Sequence, residues 1–293
     1  MAAAEAAKTV PGTCTSLDAV LCRFNNDDSC GDWVLGYGLA SQLQLCNVLS
    51  AICFAAAGLQ ICRKTWAAGA QHYGVMLCLI SLGSASFHAT SGNTGFILDI
   101  APMAASGGML LHAALRVLQL HAGRRGRQAE LRCFAASAGA AAFAVWVPWA
   151  LIEAGVAAEV TWAVWAVLFG SFGAIFGVVS LLIFREYKDN SGSVYRDVAQ
   201  AVAFILPGLL CTTHSFVPGL CSGVLARFPF HALWHASSAV SAFKSGCVLD
   251  AVLTLTAAME QGVAEKRPKR RDRSLCPLLL RMVRDAMPSQ FSM

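Results

Sequence analysis

Residues 160–184 read VTWAVWAVLFGSFGAIFGVVSLLIF, and no charged side chain interrupts them. Crossing a bilayer takes about 20 helical residues, so this run is long enough to span one. Six more apolar runs accompany it, at residues 38–62, 73–91, 97–120, 133–152, 198–221 and 230–257. The composition agrees: of 293 residues, 56% are hydrophobic and 13% charged, against about 25% charged in a soluble domain. Lipid offers no partner to a free backbone N–H or C=O, so open sheets cannot span it, and the ~10-residue alternation of a membrane barrel is absent. The sequence therefore predicts an all-α, polytopic bundle of seven transmembrane helices. Pro148 and Pro207 fall inside the fourth and sixth runs, a position bundled membrane helices tolerate.

Basic residues predict the orientation. Arg63 and Lys64 follow the first run, Arg124, Arg125 and Arg127 the third, and Arg185, Lys188 and Arg196 the fifth. Beyond the seventh come Lys266, Arg267, Lys269, Arg270, Arg271, Arg273, Arg281 and Arg284, whereas the other side carries Lys8, Arg23 and Arg227. Cytoplasmic loops hold the excess of Lys and Arg. The expected organisation is an external or lumenal N-terminal segment at 1–37, a seven-helix domain at 38–257 and a basic cytosolic tail at 258–293. The first ~15 residues lack the apolar core of a signal peptide. Residues 266–273 are read as a topology anchor or as an attraction for anionic lipid. Without aromatic stacking residues the tail is not expected to bind nucleic acid.

Twelve cysteines divide by side. Cys14, Cys22, Cys30 and Cys221 lie where disulfides can persist, with no pairing settled by spacing. Cys46, Cys53, Cys78, Cys211 and Cys247 read as packing residues, and Cys62, Cys133 and Cys276 as boundary positions open to palmitoylation.

The chemistry sits at two spacings. Ser84 and His88 lie four apart, as do His231 and His235, and Asp99 follows at the head of the third run. On a helix, residues i and i+4 share a face, so each pair aims at one point. The expected topology places the end of the second helix and the starts of the third and seventh at one depth. Ser91-Gly92-Asn93-Thr94-Gly95 supplies the tight turn between the second and third. Ionisable groups inside a membrane are costly and point to a functional site by default, although each histidine could instead simply bond across helices. Three imidazoles meeting a carboxylate and a hydroxyl look like a catalytic zinc site, with three protein ligands and an open fourth position. His214 is a further candidate contact at that depth or a packing residue. Lys244 and Asp250, six apart on the seventh helix, each need a partner on another helix.

Gly83-Ser84-Ala85-Ser86-Phe87-His88-Ala89-Thr90, Leu98-Asp99-Ile100-Ala101-Pro102-Met103 and Phe230-His231-Ala232-Leu233-Trp234-His235 resemble the alkaline ceramidases. These belong to the CREST superfamily of seven-helix membrane hydrolases and receptor-like proteins. The resemblance implies zinc held by His88, His231 and His235, and hydrolysis of the N-acyl bond of ceramide or a related lipid to a fatty acid and a sphingoid base. Zinc makes hydroxide available near neutral pH. Asp99 would take the water proton and pass it to the leaving amine, or orient a histidine. Ser84 would donate a hydrogen bond to the water or the developing oxyanion. The same chemistry suits other amide or ester lipids. The resemblance favours the endoplasmic reticulum or Golgi, with the plasma membrane as the alternative.

One departure concerns calcium. The family's N-terminal segment opens Asp-Trp and continues with Cys, Glu and Asn. Here Asp32-Trp33 is followed by Val34, Leu35 and Gly36, and Gln42 and Gln44 stand where an acid is expected. Carboxylates that calcium favours are therefore mostly missing. Asn25-Asn26-Asp27-Asp28-Ser29 with Asp32 is either a different calcium site or a solvated loop. The alternative to an enzyme is a receptor-like or fusion-related member of the superfamily with a structural or vestigial metal site. A transporter or a bis-histidine haem protein fits less well, for want of repeated halves and because of the added Ser84 and Asp99.

Overall fold

The computed structural model describes residues 45–262, apart from 91–92, 157, 188–190 and 214–229. Helix accounts for 92% of the structure, and no strand occurs among the described residues. In chain order the helices are α1 (Leu45–Ser50), α2 (Ile52–Lys64), α3 (Ala68–Thr90), α4 (Asn93–His121), α5 (Arg127–Glu153), α6 (Ala158–Glu186), α7 (Ser191–Thr213) and α8 (Phe230–Glu260). A turn at Ala51 joins α1 to α2, and Cys46–Lys64 together make one span. Six helices are long and apolar enough to cross a membrane. A seventh long helix, α3, carries His72, Ser81, Ser84, Ser86 and His88. It packs against α1, α2, α4 and α8.

The outward face supports a lipid environment. Phe134 (62%), Trp146 (68%), Val167 (69%) and Leu210 (73%) are exposed. A bundle in water would pay for each such side chain, whereas lipid tails are as apolar as the residues themselves. The chain is thus built as a multi-pass membrane protein.

Local signals end the helices near the expected residues. Gly123 (φ 77°) and Gly155 (φ 71°) take the left-handed conformation after α4 and α5. Arg124 N then donates to Gln119 O (2.8 Å), and Val156 N to Leu151 O (3.0 Å), closing the last turns. Pro102, Pro148 and Pro207 lie within α4, α5 and α7. Where the sequence predicts a second run from 73, the helix starts at Ala68. Its first turn gains a cap that sequence spacing does not show: Asp250 Oδ1 on α8 accepts from Trp66 N (3.1 Å) and Ala67 N (2.9 Å). Lys244 finds its partner in Asp197 at the start of α7, 3.1 Å away. Cys133 is fully buried, so its thiol is closed to acylation. Cys62 is half-buried.

The α3–α4 pair sets the site. A Cβ on Gly83 would overlap the Leu98 carbonyl and fall 2.6 Å from Asp99 N. One on Gly95 would lie 2.7 Å from Phe87 Cα. Two glycines thus let the backbones touch, the small-residue packing that membrane helices use in place of a hydrophobic driving force.

Candidate metal centre

Two helix ends build the centre. α3 contributes Ser84 and His88 in its last two turns, and α8 contributes His231 and His235 in its first two. The ligand nitrogens of the three histidines all lie within 4.8 Å of one another. His88 Nε2 faces His231 Nε2 at 3.2 Å, and the three ring centroids are 4.6–5.2 Å apart. The i, i+4 spacing on α8 therefore does what the sequence predicts. Both rings project to one side, and His88 meets them from the neighbouring helix.

The donor set suits a cation. Nitrogens about 2.0–2.1 Å from a tetrahedral zinc sit roughly 3.3 Å apart. The His88–His231 separation of 3.2 Å already matches that edge. Neutral imidazole ligands suit zinc, copper, iron and nickel alike. The group could thus hold a metal ion, with the element unspecified by geometry.

Burial excludes water from most of the site. Ser84 and His88 are 1% exposed and His235 is 3% exposed, while His231 is half-buried. Ser84 Oγ lies 3.3 Å from His235 Nε2, so the predicted hydroxyl is within the cluster. Asp99 is half-buried in the second turn of α4, at the level where the α4 backbone touches Gly83, the residue before Ser84. Phe87 flanks His88 (5.3 Å) and leads into an aromatic wall in which Phe96 packs on Phe87 and stacks on Trp165 (5.6 Å).

One residue of the centre escapes sequence reasoning. Ser50, the last residue of α1, has its Oγ 2.8 Å from His235 Nδ1. A serine in an apolar run is unremarkable, and only the packing of α1 against α8 reveals its partner. His112 stands apart, on a cavity of about 430 Å³ between α4, α5 and α8 that does not include the histidine cluster. The Asn/Asp-rich stretch at 25–32, read as a calcium site or a solvated loop, Gln42 and Gln44, His214 and the cysteines at 14, 22, 30, 221 and 276 lie outside the described residues. Comparison with models of known protein families and with curated protein sequences gave no match.

Proposed function

We propose that the protein is a zinc-dependent intramembrane lipid amidase of the ceramidase kind, a hydrolase of linear amide C–N bonds acting on ceramide or a related N-acyl sphingolipid. The observation that carries this reading is the convergence of His88, His231 and His235 with the Ser84 hydroxyl 3.3 Å from one of them. A purely structural zinc site is closed by four protein ligands, whereas a catalytic one keeps a position open. Among the described residues, the metal-ligating group consists of three histidines. Bound zinc would supply a Lewis acid and lower the pKa of a coordinated water toward about 7.

The chain's own residues supply the rest. We assign Ser84 a hydrogen bond donated at the reacting centre, where low polarity strengthens it. The α4 backbone at Asp99 approaches Gly83, the residue before Ser84, and we assign Asp99 the proton transfer from water to the leaving amine. The aromatic wall beside His88, reaching from Phe87 to Trp165, is packed core that lines that side of the site with apolar rings. We further infer an external or lumenal N-terminus and a cytosolic basic tail, with the site toward the external face.

Asp99→Asn tests the assignment. Zinc is expected to be retained while hydrolysis of ceramide in mixed micelles falls by roughly 10²–10⁴-fold. Full turnover in this variant rules out the proton-transfer role. Wild-type protein that binds zinc but hydrolyses no N-acyl or ester lipid moves the reading to a receptor-like protein with a structural or vestigial metal.

A further inference from the structure

We propose that Ser50 is a positioning residue that fixes the tautomer of His235 and so presents its Nε2 lone pair to the metal, an inference that rests on the metal-binding part of the reading above. Ser50 Oγ touches two atoms. It lies 3.0 Å from the Asn47 carbonyl oxygen, one turn earlier on α1, and 2.8 Å from His235 Nδ1. A carbonyl can only accept, so the one arrangement that makes both contacts as hydrogen bonds sends the hydroxyl proton to Asn47. The Ser50 oxygen then turns its lone pairs toward His235, and the matching tautomer carries the bridging hydrogen on Nδ1. A neutral imidazole with Nδ1–H has its lone pair on Nε2.

The consequence runs across the ring. Nε2 is the atom 3.3 Å from Ser84 Oγ. Because Nε2 accepts, Ser84 is the donor in that contact; a metal would take the same lone pair and leave the Ser84 proton to donate at the reacting centre. The opposite tautomer would place a hydrogen on the atom that must bind the metal. The Asn47–Ser50–His235 chain therefore decides which nitrogen is a ligand and sets the direction of the Ser84 hydrogen bond. Phe54 holds the ring edge-on from the same span, with centroids 5.8 Å apart. His235 is 3% exposed, so water does not compete for Nδ1. Outer partners of this kind orient a ligating histidine and raise its basicity, and their loss typically weakens metal affinity 10–100-fold.

The test pairs a binding measurement with a spectroscopic one, both on the full chain in detergent. Zinc affinity is measured by competition with a chelator for wild type, Ser50→Ala and Ser50→Thr. Ser50→Ala is expected to bind 10–100-fold more weakly, and Ser50→Thr, which keeps the hydroxyl, within about threefold of wild type. Separately, ¹⁵N NMR of histidine-labelled, metal-free wild type is expected to show His235 protonated at Nδ1, its signals assigned by their loss in His235→Gln. This second readout needs no Ser50 variant to fold. Unchanged zinc affinity in folded Ser50→Ala, or a His235 proton on Nε2, overturns the role of Ser50 while leaving the metal site standing. Wild type that binds no zinc overturns the metal reading itself and, with it, this proposal.

Discussion

Where α3 finishes and α8 begins, polar groups gather with their own kind: three imidazoles within 4.8 Å, with the Ser84 and Ser50 hydroxyls on either side of His235. Elsewhere between the helices, several polar groups have a partner on a neighbouring helix. Arg116 pairs with Glu260, His121 with Glu186 (3.3 Å) and Lys244 with Asp197 (3.1 Å), while Asp250 caps the start of α3. The second pattern reads as a set of clamps between helices. The first brings three imidazoles together, a group that could hold a cation. Polar groups in a membrane are expensive in both places, so the difference lies in what balances them: a partner on a neighbouring helix or, on the proposed reading, a bound ion.

Removing a ligand is the strongest way to break this contrast. His88→Ala should reduce zinc from about one per chain to none detectable by elemental analysis. Glu260→Gln, a change at the clamped end, should leave it at about one. Zinc retained in His88→Ala would mean the histidine end is only another structural contact.

Next comes Lys244→Met, which leaves Asp197 largely buried and unpaired. Breaking such a pair costs about 3–5 kcal/mol, whereas replacing both partners with apolar residues is often neutral. Unfolding in mixed micelles should therefore show a large loss for Lys244→Met and recovery in Lys244→Met with Asp197→Leu. A double variant no better than the single one would deny the clamp.

Gly83→Ala should cost about 1–3 kcal/mol, the range for overpacking, since its Cβ meets backbone rather than a movable side chain. It should also weaken zinc binding, because α3 carries His88 and Ser84. The smallest effect is expected for Asp250→Ala, which removes acceptors from Trp66 N and Ala67 N. Loss of a helix cap costs about 0.5–2 kcal/mol, and zinc content should not change.

Apolar run length made the all-helical membrane architecture legible in the amino-acid order, because lipid leaves the backbone few solutions. The i, i+4 spacing of Ser84 with His88 and of His231 with His235 was legible for a related reason: helical periodicity is local, so two side chains four apart must share a face. The convergence of those two faces, the backbone contact at Gly83 and Asp99, and the partners of Lys244 and Asp250 depended on how helices pack across long stretches of chain. Ser50 belongs with these. Its hydroxyl is one of many in the apolar runs, and only the approach of α1 to α8 places it on His235 Nδ1. Local periodicity is written along the chain, while the register between helices emerges only when their surfaces meet.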